Sequence, residues 1–177
     1  CSSDLANGGS SVGISGKDGG LLKVKKIKSP RRGVDLGRVG EIVRVNTKLI
    51  VQLQQDGHIP VIAPIRCNNK GTTYNINADH AASKIAAALK AEKLIILTDV
   101  SGIKGKDSKL ISSLTKKSAN SLIRKGIIVK GMVPKVKYLI DALTEGVSKT
   151  HIIDGRIAHA IILEIFTDSG IGTEILL

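Results

Sequence analysis

Tyr74-Asn75-Ile76-Asn77-Ala78-Asp79 sets two carboxamides and a carboxylate where an apolar segment gives way to a helix. Upstream, Ile59-Pro60-Val61-Ile62-Ala63-Pro64-Ile65 is a short apolar run bounded by Gly57 and an Asn68-Asn69-Lys70-Gly71 turn, and it reads as a buried strand. Downstream, Ala81, Ala82, Ile85, Ala86 and Leu89 recur at three- and four-residue steps, which predicts a helix over Ala78 to Ala91. Asn77 or Asp79 can cap that helix by accepting from the orphan amides of its first turn. One acceptor is enough for a cap. Three polar side chains within five residues exceed that need, so the junction reads as a ligand site.

The next apolar run, Lys93-Leu94-Ile95-Ile96-Leu97-Thr98, is rich in branched side chains and predicts a central parallel strand ending in Asp99-Val100-Ser101-Gly102. In open α/β sheets ligands collect outside the carboxyl ends of strands, so two polar loops after consecutive strands are expected to face one crevice. Thr98-Asp99-x-x-Gly102 is also what an ordinary turn uses.

A third segment, Gly126 to Lys137, runs from an apolar stretch through Gly131 into a Pro-started helix carrying Lys135 near its N-terminus. A cation there opposes the helix dipole, so Lys135 is either solvated or held to meet an anion.

Together, Asn75-Ile76-Asn77-Ala78-Asp79, Leu97-Thr98-Asp99-Val100-Ser101-Gly102 and Gly131-Met132-Val133-Pro134-Lys135 resemble, in order and spacing, the acetylglutamate kinase branch of the amino acid kinase family. Val12-Gly13-Ile14-Ser15-Gly16-Lys17-Asp18-Gly19-Gly20 and Val34-Asp35-Leu36-Gly37-Arg38-Val39-Gly40-Glu41 are similar to it too, so the resemblance runs from Asn7 to the last residue. It implies a three-layer α/β/α sandwich with a mainly parallel central sheet. It also implies transfer of the γ-phosphate of MgATP to the side-chain carboxylate of N-acetyl-L-glutamate, a step of arginine biosynthesis. The carboxylate is already ionised near neutral pH, so the physical task is to align two anions and neutralise the transferring group.

By the same resemblance Lys135 stabilises the transferring phosphoryl group and Asp79 orients active-site lysines, making these two the catalytic assignments. Asn75 contacts the acetylated substrate and Asn77 lines the same region; both can donate without adding charge. Nucleotide contacts fall on Asp99, Val100, Ser101, Gly102, Ile103 and Lys104, and on Ile127, Ile128 and Val129, with Met132 against the adenine. No metal-ligating residue is assigned. Lys130 stands where many relatives carry glycine, which bears on the local backbone because a side chain restricts φ.

The C-terminal stretch from His151 to Thr173 resembles the arginine-sensitive form of the family, which implies feedback inhibition by L-arginine. His151, Glu164 and Gly170 fall on effector positions, where Glu164 can take the cation and the backbone at Gly170 can approach closely. Read without the resemblance, the same residues are a core strand and a turn.

Family members carry a glycine-rich loop, a phosphate-facing lysine and a substrate-gripping arginine in a first half that has no counterpart here. The chain is therefore expected to be a C-terminal portion: residues 1–5 a non-native leader, residues 6–177 the end of the substrate half plus the nucleotide half of the domain. On its own it is expected to be inactive and poorly soluble, with sheet edge and apolar surface uncovered. The intact protein is expected to be a homo-oligomer, dimer or hexamer, with a nitrogen-sensing regulatory protein as a partner by analogy with photosynthetic relatives.

Composition fits a soluble cytoplasmic enzyme, or a plastid one if an upstream segment carried a transit peptide. The 177 residues are 42% hydrophobic, and no run is long and apolar enough to span a bilayer. With Cys1 assigned to the leader only Cys67 remains, which leaves no disulfide framework. The net charge of +12 raises nucleic acid as a rival partner. Ten basic residues against three acidic ones between Lys17 and Lys48 concentrate that charge on an expected hairpin, where Lys23, Lys25, Lys26 and Lys28 lead to Arg31 and Arg32. Two tyrosines and one phenylalanine give no stacking platform, so a solvated hairpin face is preferred and neither nucleic acid nor membrane is expected as a partner. An aspartokinase-like enzyme and a non-catalytic arginine-binding regulator are rival readings of the same residues.

Overall fold

The apolar runs become strands in a computed structural model that describes residues 7–27, 37–67, 72–167 and 170–177. The Asn68 to Gly71 turn, the leader, Lys28, Arg31, Arg32 and residues 34–36 lie outside the described residues. The chain divides into two compact units, Cys1–Ala88 and Leu89–Leu177.

In the first unit, β1 (Ser11–Ser15) pairs in parallel with β4 (Ile59–Ala63), in register from Ser11 opposite Ile59 to Ser15 opposite Ala63. Between them lie β2 (Leu22–Lys26) and β3 (Gly40–Val45), an antiparallel hairpin, and α1 (Lys48–Gln55), which packs on β4. The expected hairpin is therefore present in its described part. The run from Ile59 to Ile65 is interrupted at Pro64, after which β5 (Ile65–Cys67) pairs antiparallel with β6 (Thr73–Asn75). The expectation of a buried strand fails for β4: Ile59 is 58% exposed and Val61 42%. The burial alternates along β4, so only one of its faces is covered. Helix α2 (Ala78–Leu89) buries Ala81, Ala86 and Ala87, and ends two residues before the expected Ala91.

The second unit is built on a four-stranded sheet in the order β7 (Lys93–Thr98), β9 (Lys149–Asp154), β10 (Thr173–Leu176), β8 (Ser113–Thr115). Pairings β7 with β9 and β10 with β8 are parallel; β10 with β9 is antiparallel. The central parallel position expected of Lys93–Thr98 belongs instead to β9. Strand β7 is parallel but forms the edge of this sheet, leaving Leu97 48% exposed. Within β9, Thr150 to Asp154 are all buried. Helices α3 (Lys116–Arg124) and α4 (Met132–Thr144) and the short α5 (Ala160–Phe166) pack against the sheet. Val136, Leu139, Ile152, Ile153 and Ile175 are fully enclosed, and each such side chain stabilises the unit by about 1.5–3 kcal/mol relative to exposure. Thr115 and Ser118 cap α3 reciprocally, each hydroxyl accepting the other's backbone N–H. Among the described residues no helix is long and apolar enough to cross a membrane.

Candidate functional site

Parallel pairing of β7 with β9 brings their carboxyl ends side by side: Thr98 is in register with Asp154, and the N–H of Gly155 donates to the carbonyl of Thr98 at 2.8 Å. The two following loops, with the segment leading into α4, enclose a cavity of about 350 Å³. Its lining is Asp99, Val100, Ser101, Gly102, Ile103 and Lys104 from the first loop, Ile127, Ile128, Val129 and Met132 before and at the start of α4, and Arg156. The ten residues assigned from sequence to a nucleotide thus share one cavity. Arg156 is the eleventh and was not among them.

The loop after β7 is fixed from behind. Gly102 has φ +133°, and a Cβ there would meet Leu110 Cδ1 and Thr173 Oγ1, each at 2.7 Å. The Thr173 hydroxyl accepts from the N–H of Ile103 at 2.8 Å and donates to the carbonyl of Ile111 at 2.7 Å. At the other wall Asp154 receives three donors: its Oδ1 takes the backbone N–H of Arg156 at 3.0 Å and Nε at 2.9 Å, and its Oδ2 takes Nη2 at 2.7 Å. These charge-assisted bonds hold the pKa of the Asp154 carboxyl at about 2, below the usual 3.8. The Asp154 bond, aided by the more distant Asp99, raises the pKa of Arg156.

The entry to α4 offers few free amides to an anion. Gly131 supplies no side-chain cap, the N–H groups of Met132 and Val133 donate to Val129 and Lys130 at 3.2 Å each, and Pro134 has no N–H. Pro134 is the third residue of the helix rather than the first. The half-buried Lys135 therefore brings positive charge to this end through its side chain more than the amides do. Lys130 adopts φ +46°, the left-handed conformation that glycine would enter freely.

In the first unit Asn75 is exposed at the end of β6, and its backbone N–H donates to the carbonyl of Arg38 at 2.8 Å. Asn77 caps α2: its Oδ1 accepts from the N–H of His80 at 3.0 Å and its carbonyl from Ala81 at 2.9 Å. Capping engages the carboxamide oxygen, and the amide nitrogen is the group's donor. Asp79 lies half-buried in the first turn of that helix.

A second cavity, of about 490 Å³, includes His151, Glu164 and Gly170 in its lining. His151 Nδ1 lies 2.7 Å from Glu164 Oε1, while Glu164 Oε2 accepts the N–H groups of Ile171 at 2.7 Å and Gly172 at 3.0 Å. His151 Nε2 is buried with no hydrogen-bond partner among the described residues.

The amino acid kinase family model matches residues 2–154. An acetylglutamate kinase from Geotalea daltonii is 54% identical over 176 residues, covering 96% of this chain and 60% of that protein. One from Syntrophus aciditrophicus is 51% identical over 178 residues, with the same two coverages of 96% and 60%. The chain thus spans about 60% of the length of these curated relatives. Among solved structures, N-acetylglutamate synthase from Neisseria gonorrhoeae complexed with coenzyme A and L-arginine has a TM-score of 0.84 at 28% identity, covering 95% of this chain and 38% of its own. Carbamate kinase from Giardia lamblia bound to AMP-PNP has a TM-score of 0.62 at 19% identity, covering 99% and 54%, a likeness of fold alone.

Proposed function

The chain belongs to the amino acid kinase family, and we propose from that premise that it serves transfer of the γ-phosphoryl group of ATP to the side-chain carboxylate of N-acetyl-L-glutamate. The observation that carries this reading is the cavity beyond β7 and β9, in a chain about half identical to acetylglutamate kinases over 96% of its length. Its apolar side, Ile127, Ile128, Val129 and Met132, suits a purine; its polar side, Asp99 to Lys104, suits a ribose and phosphates. Mg²⁺ enters with the phosphates, since that ion is held largely through substrate oxygens and water.

Lys135 neutralises charge on the transferring phosphoryl, a stabilisation whose loss costs about 3–4 kcal/mol of barrier. The acceptor is assigned to the carboxamides of Asn75 and Asn77, and Asp79 keeps its role of orienting lysines, since a carboxylate does not itself attract phosphate. The product is an acyl phosphate, formed as the carboxylate oxygen bonds to phosphorus and ADP departs. No base is required.

Feedback by L-arginine is assigned to the second cavity. The Glu164 carboxylate beside a buried His151 Nε2 that has no described partner suits a cationic ligand, and the gonococcal synthase of related fold was solved with L-arginine. Glu164 already accepts three donors and retains room for about one more, so arginine shares this carboxylate with the Ile171 and Gly172 amides. Residence in the cytoplasm or a plastid, a dimeric or hexameric assembly and a nitrogen-sensing partner complete the reading, carried by the family resemblance alone.

Hydroxylamine trapping of acyl phosphate tests the reaction, using the chain as it stands and completed upstream with the corresponding segment of the Geotalea daltonii relative. Hydroxamate from the completed protein that requires both N-acetyl-L-glutamate and MgATP and falls when L-arginine is added, with none from the chain alone, is the expected result. Activity blind to arginine removes the effector assignment. A folded, completed protein inert toward acetylglutamate but active on aspartate or carbamate moves the substrate assignment elsewhere in the family.

A further inference from the structure

Arg156 enters the cavity beyond β7 and β9 from a loop to which the sequence pattern assigns no nucleotide contact. Among the described lining residues it carries the only guanidinium, and none of them has an aromatic ring. Its Nε and Nη2 are both bound to the Asp154 carboxylate, whose side chain is 9% exposed, while the arginine side chain is 68% exposed. Two bonds along one edge of a planar group fix the orientation of that plane. They also set the arginine charge against a carboxylate 2.7 Å away, which weakens its pull on a polyphosphate. What remains to offer is a flat, delocalised, weakly hydrated surface in the same cavity that Ile127, Ile128, Val129 and Met132 line.

We propose that Arg156, positioned by Asp154, stacks its guanidinium plane on the purine base of the bound nucleotide, in the place of an aromatic ring that none of the described lining residues supplies. The proposal rests on the reading of this cavity as the ATP site. Arg156 touches the ligand; Asp154 acts through it.

Calorimetric titration of the 177-residue chain with ATP and with inorganic tripolyphosphate separates base from phosphate contact. Both Arg156→Lys, which keeps the charge, and Arg156→Met, which keeps the length, are expected to weaken ATP about five- to tenfold and leave tripolyphosphate unchanged. Asp154→Asn, which releases the arginine but retains its plane, is expected to weaken ATP by a smaller factor and also to spare tripolyphosphate. The reverse pattern, with Arg156→Lys close to the parent and Arg156→Met losing both ligands, makes Arg156 a phosphate contact and overturns the proposal. Unchanged ATP affinity in both arginine variants overturns it as well, leaving the nucleotide site itself standing. A parent chain that melts cooperatively yet binds no ATP refutes the nucleotide reading, and the stacking role falls with it.

Discussion

A Cβ on Gly102 would stand 2.7 Å from the hydroxyl oxygen of Thr173, which itself holds the N–H of Ile103 and the carbonyl of Ile111. The loop that lines the apolar cavity is thereby tied to β10. Gly102→Ala must both accommodate φ +133° and displace that hydroxyl, so it is expected to cost about 1–3 kcal/mol and to weaken ATP binding. In a chain of this size each kcal/mol lowers the melting temperature by about 2–4 °C. A Gly102→Ala chain that melts with the parent and titrates ATP normally would show the loop to be less constrained than this packing requires.

Acid stability should report the Asp154–Arg156 bond. The bond lowers the Asp154 pKa from 3.8 to about 2, so below the ordinary value the unfolded chain takes up this proton more readily than the folded one. The stabilisation is fully present above pH 3.8 and is lost as the pH falls through about 2. Asp18, lowered by the N–H and hydroxyl of Ser15, contributes with the same sign. Asp154→Asn is expected to flatten the stability profile between those pH values, measured as urea midpoints; an unchanged acid limb would mean the bond contributes nothing in solution.

The hairpin carries one favourable and one unfavourable cross-strand pair. Lys25 faces Glu41, with Nζ 3.1 Å from the carboxylate, whereas Lys23 faces Arg44 directly. Like charges opposite one another destabilise a sheet, so Arg44→Glu should raise stability by about 0.2–1 kcal/mol through a second opposed pair. Because the site is exposed, the gain should shrink as salt rises. Equal urea midpoints for parent and variant at low salt would show the repulsion to be already screened by solvent.

Part of this architecture was legible because local pattern decides it. The apolar run that starts at Lys93 is a parallel strand, which stops at Thr98 before the polar residues Asp99 to Gly102. What local pattern does not encode is which neighbour covers a strand. The branched side chains of β7 suit a central strand, yet β9 holds that position and Leu97 is half-exposed. The place of Arg156 in the first cavity depends on β7 and β9 being parallel neighbours in register, which no single stretch reveals. The same holds at α4, where Pro134 signals a helix start but the amides ahead of it are taken up by a turn.

Gly170 offers a separate handle on the second cavity. Its φ is +60°, and a Cβ would lie 2.8 Å from Glu164 Oε2, the oxygen that holds the Ile171 and Gly172 amides. Gly170→Ala therefore incurs the left-handed penalty, about 1 kcal/mol, and pushes the carboxylate away from those donors and from His151. If L-arginine shares Glu164, the variant should bind it about tenfold more weakly, equivalent to about 1.4 kcal/mol, with ATP affinity unaltered because Gly170 does not line the other cavity. Calorimetry with both ligands checks this, and Glu164→Gln, which keeps the acceptor but removes the charge, serves as the second variant. Parent-like arginine affinity in both would take the effector role away from Glu164 and leave that carboxylate as a tie for the 170–172 loop alone.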